Sequence, residues 1–399
     1  MPKTVRTLWP GNQVPVSILL DDPTPCRNPM WYEFPDNGHE VVIPLAFAVR
    51  FADMCERTGA AGKFSLVPCP GAQGRVDQAL PGIAADDLER FLSLVRERIA
   101  PRWSIGPEML THGNAIDLAT GQVLPMREDV WAARQDERTL TRYIAHALRI
   151  LVDAGFKPTG VTSPWSFGVE VEDAYTGAIT TALREVCDAR VGWYFLRSDA
   201  ISPTVAPRPM RIDLERGSAL ISIISGQRDW LWETQYGEPA YIDTALSRDG
   251  ISGRLAELFG AGSPIVFTTH WQSLFSNGSG AGLDQLTLLC ERINRVWGER
   301  VRWTPVLKLA QYSAACASLR VEPGDTDHEL RITARVTCPD FTCALDMPPN
   351  ATTLKWNGLN LERCPDGQIV LVEGCWSRFG NEAHVCFPLQ EENAVSWLR

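Results

Sequence analysis

Val14-Pro15-Val16-Ser17-Ile18-Leu19-Leu20-Asp21-Asp22-Pro23 reads as an apolar strand that ends on two adjacent carboxylates. A strand buried on both faces is a continuous apolar run rather than an alternation. In parallel α/β folds the catalytic groups gather where such strands end. Two like charges side by side at a strand tip repel, so a cation or a shared proton is expected beside them. A turn cap is the plain structural alternative, since Asp and Pro both favour turns.

Six further short runs repeat the signal: Lys63–Val67, Ser104–Leu110, Gly160–Ser163, Gly192–Leu196, Ala219–Ile224 and Pro264–Thr269. Amphipathic stretches lie between them. Asp86–Ala100 puts Leu88, Phe91, Leu92, Val95 and Ile99 on one stripe, and Asp136–Ala154 does the same with Leu140, Ile144, Leu148 and Leu151 before Gly155. Asp173–Cys187 and Leu283–Trp297 are similar. Strands alternating with helices imply a parallel sheet with helical crossovers. Seven strands over about 300 residues suit a (β/α)7-type barrel.

From about Ala315 the period changes. Leu330, Ile332, Ala334 and Val336 alternate with polar residues, and Thr353–Gly358 and Gln368–Val372 continue the alternation. Asn357-Gly358 and Asp366-Gly367 are hairpin signals. The expected architecture is α/β: a barrel over residues 1–312 carrying the chemistry, then an accessory antiparallel β-sandwich over 313–399.

Of the 399 residues 45% are hydrophobic and 22% charged, the balance of a folded globular chain. A net charge of −10 provides no electrostatic footprint for nucleic acid, and no apolar run is long enough to span a bilayer. The start lacks the apolar core of a secretion signal, so a cytoplasmic location is the expectation. The eleven cysteines form no zinc-ligand spacing and read mainly as buried free thiols.

Four segments at strand ends carry the candidate chemistry. After Asp21-Asp22 comes Glu108-Met109-Leu110-Thr111-His112, whose carboxylate and imidazole suit a divalent metal with Asp22 as third ligand. Three protein ligands and an open position form the arrangement that activates water. Ser163-Pro164-Trp165 is a turn able to offer backbone N–H groups to an oxyanion. His270 ends the last apolar run, placed to give a proton to a leaving group. Fourteen tryptophans are many, and exposed indoles make platforms for sugar rings. Trp31, Trp165 and Trp271 are candidates for that contact, as are Asp129 and Asp229, carboxylates near Trp131 and Trp230.

In this order the segments resemble the motifs of the polysaccharide deacetylase-like (NodB-homology) superfamily. The resemblance implies a (β/α)7 barrel in which Asp21 is the general base and Asp22 a metal ligand. Glu108 and His112 have the separation of the two histidines in a His-(Ser/Thr)-x-x-His motif, with Thr111 before the final histidine and Glu in place of the first. Ser163-Pro164-Trp165 is similar to the Pro-aromatic motif, without its usual Arg, and His270 falls where the catalytic His follows the last strand. The implied activity is deacetylation of a carbohydrate through a divalent metal, Zn or a harder ion such as Mn, Fe or Mg. The alternative on the same barrel is a glycoside hydrolase using two carboxylates among Asp21, Asp22, Glu108, Asp129 and Asp229.

Overall fold

All seven apolar runs become strands, and wherever two of the seven pair they run parallel, in a computed structural model that describes residues 5–25, 27, 42–348 and 350–398. In chain order they are Val14–Asp21, Gly62–Leu66, Trp103–Pro107, Gly160–Thr162, Val191–Ser198, Ser218–Ser225 and Ile265–His270. The seventh, first, second and third form one sheet in that order; the fourth, fifth and sixth form another. Val301–Trp303 pairs with the start of the first strand.

Both faces of these sheets are covered, which is why the runs are mainly apolar on both sides. Ile18, Leu20, Phe64, Ile105, Val161, Tyr194 and Leu220 pack with the helical residues of the main core. Leu19, Trp193, Phe195, Ile221, Ile223 and Val266 form a separate cluster closed by Val306, Leu309, Ala310 and Ala314 of the helix Val306–Ala317. Each fully buried aliphatic side chain contributes roughly 1.5–3 kcal/mol.

Between the two sheets the hydrogen bonds are isolated. Thr159 N–H donates to Ile105 O at 2.9 Å and Met109 N–H to Thr162 O at 3.1 Å; at the other seam Gly226 N–H donates to Val266 O at 2.7 Å. The free edge of the sixth strand is instead taken by the antiparallel strand Arg208–Asp213. The pairing therefore gives an α/β fold with mixed sheets, without a ladder that closes a barrel.

The helices follow their stripes. Glu137–Asp153 starts at Asp136, whose carboxylate accepts the Thr139 N–H at 2.8 Å, and stops before Gly155, at φ 85°. The C-terminal region holds two five-stranded, mostly antiparallel sheets around a second core that includes Phe341, Trp376, Phe387 and Trp397. Val5–Leu8 joins one of them, pairing with Cys338–Asp346. Asn357 and Gly358, at φ 48° and 81°, make the expected hairpin turn. Gln368–Val372 is not a strand: Gln368 N–H donates to Ser377 Oγ and Leu371 N–H to Gly11 O, so side-chain and loop acceptors replace a ladder. Among the described residues the ten cysteines are free, and no helix is long and apolar enough to cross a membrane.

Candidate active site

The first strand delivers Asp21 as its last residue, and Asp22 then turns out of the strand at φ 65°. The third strand delivers Glu108, after which Met109 (φ 48°) and His112 (φ 46°) fold the chain back over the strand ends. With Trp165 at φ 47°, four residues of one neighbourhood occupy the left-handed region. That conformation is unfavourable for bulky side chains and collects at functional sites.

Asp22, Glu108 and His112 converge. Asp22 N–H donates to Glu108 Oε2 at 2.7 Å, and Gln272 Nε2 donates to Asp22 Oδ2 at 2.8 Å. One oxygen of each carboxylate is thereby committed. The others face His112 Nε2, Asp22 Oδ1 at 3.0 Å and Glu108 Oε1 at 3.7 Å, and one donor from each of the three residues fits within 4.8 Å. Ligand atoms about 2.0–2.2 Å from a divalent ion lie roughly 3–4 Å from one another. Asp22 Oδ1 is buried, and its approach to His112 Nε2 brings the two atoms to the separation of two ligands of one ion. The donor set thus fits a divalent metal ion and is consistent with metal-activated hydrolysis.

Electrostatics agree. Burial and the two neighbouring aspartates push the Glu108 carboxyl well above its usual range. Burial opposes charge at Asp22 as well, yet His112, His270 and Gln272 hold it well below. A cation relieves the first and matches the second.

His112 is positioned by Glu128, a carboxylate that the sequence offers only as a weak sugar-site candidate beside Trp131 and not as a support for the metal ligands. Glu128 is fully buried; its Oε1 accepts the N–H groups of Leu110 (3.1 Å) and Thr111 (2.8 Å), and its Oε2 that of His112 (2.9 Å). Tyr143 Oη donates to it at 2.8 Å, and burial pushes its carboxyl up to about 7. Above, the Trp165 ring lies 4.7 Å from the imidazole of His112, and the Arg127 guanidinium sits 4.4 Å over the indole. Asp129 holds Arg127 at 3.0 and 2.7 Å and accepts the Ser166 hydroxyl at 2.9 Å, tying the two loops together.

His270 ends the seventh strand. Its Nδ1 lies 2.8 Å from Asp229 Oδ2, which also accepts the Ser273 hydroxyl at 2.9 Å. Burial works against the imidazolium, but Asp229, Asp22 and Asp21 outweigh it and raise His270 to about 9. The Trp232 ring stands edge-on at 4.7 Å. Asp21 ion-pairs with Lys63, which is wholly buried; burial nonetheless pushes the Asp21 carboxyl up. Lys63 had a signal in the sequence, a lysine inside an apolar run, since lysine is almost never fully buried unless paired.

The remaining expected residues are placed less centrally. Ser163 Oγ is 2.8 Å from Tyr175 Oη, inside the protein. Trp271 is wholly buried against Phe47, Phe51 and Phe64, because the helix Trp271–Phe275 begins there and turns the indole into the core. Asp229 serves His270, and Asp129 serves Arg127. Trp31 lies outside the described residues.

No protein family's sequence profile matches the chain, and no curated protein matches it in sequence. In structure it is similar to a provisionally assigned polysaccharide deacetylase from Mycobacterium smegmatis, at 15% identity and a TM-score of 0.48, over 77% of this chain and 93% of that one. It is also similar to the Bc1960 peptidoglycan N-acetylglucosamine deacetylase, at 14% identity and a TM-score of 0.37, over 76% and 90% of the two chains. An α-fucosidase of Thermotoga maritima aligns over 98% and 97%, at 11% identity and a TM-score of 0.31. Likenesses this distant assign neither a fold nor an activity.

Proposed function

We propose that the protein is a metal-dependent hydrolase that removes an N- or O-acyl group from a carbohydrate. The convergence of Asp22, Glu108 and His112, with Asp21 and His270 beside it, carries the reading. A divalent ion held by those three ligands supplies Lewis-acid polarisation and a water of lowered pKa. Asp21 accepts the proton of the attacking water. The peptide N–H of Trp165, in its left-handed turn, is assigned to the developing oxyanion. His270, kept protonated by Asp229, gives its proton to the departing nitrogen or oxygen. Trp165 is the wall against which the sugar packs.

On this reading the two parallel sheets are the halves of a (β/α)7-type barrel, residues 1–312 form the catalytic part, and 313–399 form an accessory module to which Val5–Leu8 lends a strand. The resemblance to the polysaccharide deacetylase-like superfamily supports the choice of an acylated sugar. The glycosidase alternative is less well served, because Asp129 and Asp229 are committed to Arg127 and His270. Acetate release from acetylated oligosaccharides, measured by NMR with and without a chelator, tests the proposal. Release that stops on chelation and returns with added metal supports it; a reducing sugar set free without acetate overturns it.

A further inference from the structure

Lys63 is the second residue of the second strand, paired in register with Leu19, two residues before Asp21. Its side chain runs up the strand to ion-pair with Asp21 Oδ1 and donates to Ser65 Oγ at 2.7 Å. Ser65 Oγ is in turn 2.7 Å from Thr162 Oγ1, and the ring of Phe195 lies 4.9 Å from the ammonium. The lysine side chain has no solvent exposure and that of Asp21 only 6%. A buried ion pair stabilises a fold no better than well-packed apolar residues of the same volume, because the desolvation of both charges offsets their attraction. The side chain that Lys63 acts on is that of Asp21, its ion-pair partner.

Asp21 and Asp22 are chemically identical neighbours at one strand tip, beside a cluster that attracts a divalent cation. Nothing in their chemistry makes one a ligand and the other not. Yet only Asp22 shares the donor cluster with Glu108 and His112. We infer that Lys63 reserves Asp21: by neutralising its charge and occupying Oδ1, it keeps this carboxylate off the metal, so that one aspartate binds the ion while the other is left for proton transfer. Lys63 is then a positioning residue, an internal cation that divides an aspartate pair into two roles. The first half concerns metal binding alone; the second rests on the hydrolase reading above.

Replacing the lysine removes the ion-pair partner of Asp21 and leaves its buried carboxylate free to turn to the remaining cations beside it, the His270 imidazolium and a bound metal. Lys63→Met in the full-length chain is expected to bind Mn2+ at least tenfold more tightly by calorimetry while turnover falls at least tenfold. A merely structural lysine would lower both. Adding Asp21→Asn to Lys63→Met should return metal affinity to the wild-type value, and Lys63→Arg, which keeps the cation, should retain that value throughout. Should Lys63→Met fail to fold, Lys63→Gln makes the same comparison with the bond to Ser65 retained. Metal affinity unchanged or weakened in the neutral variant overturns the inference. Tightened affinity in a protein whose wild type releases no acetate leaves it standing and removes the hydrolase reading instead.

Discussion

Asp21 and His270 are register partners, the last residues of two adjacent parallel strands. Neighbouring strands lie about 4.8 Å apart. The proposed base and the proposed acid are therefore held side by side by backbone pairing, while Asp22, one residue further on and at φ 65°, turns to the metal ligands. Residues 249 positions apart in the chain are brought together because their strands pair, not because a loop carries them. Sites built on rigid elements hold their geometry more precisely than sites on loops.

The pairing of His270 with Asp229 predicts an alkaline limit. With His270 raised to about 9 from an ordinary 6.5, its proton is present at neutral pH and lost as the pH rises through about 9. Asp229→Asn removes the anion and should move the falling limb of the pH–rate profile from near pH 9 toward 6.5. The linkage has the same sign for stability. The pair stabilises the fold fully below 6.5, and that contribution disappears as the pH rises through about 9. A profile whose alkaline limb ignores the substitution removes His270 as the acid.

Asp21 and Asp22 should separate cleanly on substitution. Asp22→Ala deletes a ligand, so bound metal and activity should vanish together in elemental analysis and rate measurements. Asp21→Asn should keep one equivalent of metal and lose turnover by about 10²–10⁴, the usual contribution of general-base catalysis. Full activity in Asp21→Asn would assign the base elsewhere.

The fold was legible from the sequence to the degree that burial on two faces leaves a mark. Val14–Leu20 and the six runs like it are apolar because sheets covered on both sides demand it, and each became a strand. Asp22, Glu108 and His112 could be grouped because each follows a strand end or turn at a recognisable spacing. Gln368–Val372 misled because alternation marks any half-exposed segment, whether or not a neighbour strand is present to pair with it. Trp271 and Ser163 stand beside polar site residues in sequence but point the other way, and adjacency in sequence does not fix the direction of a side chain. The role of Glu128 was hidden for a different reason. Its work is to satisfy backbone N–H groups of a loop, and nothing in the order of residues announces which loop.

Glu128→Ala tests that work. The carboxylate accepts from three backbone N–H groups and from Tyr143, all inside the protein. Each buried donor left without an acceptor costs about 1–3 kcal/mol. The variant should lose roughly 3 kcal/mol or more in chemical denaturation, and its affinity for Mn2+ should drop with the freedom gained by the His112 loop. Glu128→Gln, which retains the shape and one acceptor oxygen, should lose less of both. Equal behaviour of Ala and Gln would mean that packing, not hydrogen bonding, holds the loop.

Trp165 joins the metal ligands to the rim of the site. Its indole lies between the imidazole of His112 and the guanidinium of Arg127, and it remains 38% exposed. A cation over an exposed aromatic face is worth about 0.5–1 kcal/mol, so Trp165→Ala should loosen both neighbours only modestly. Its larger effect should fall on the substrate. An acylated oligosaccharide that packs against the ring loses that contact in the ground state and the transition state alike, which raises KM about tenfold and leaves kcat within a few-fold. A small aryl acetate, with no sugar to pack, should be hydrolysed nearly as before. Trp165→Phe retains a ring face and should recover most of the oligosaccharide KM. If the aryl acetate and the oligosaccharide suffer equally, Trp165 acts through His112 and the oxyanion, and the sugar is held somewhere else.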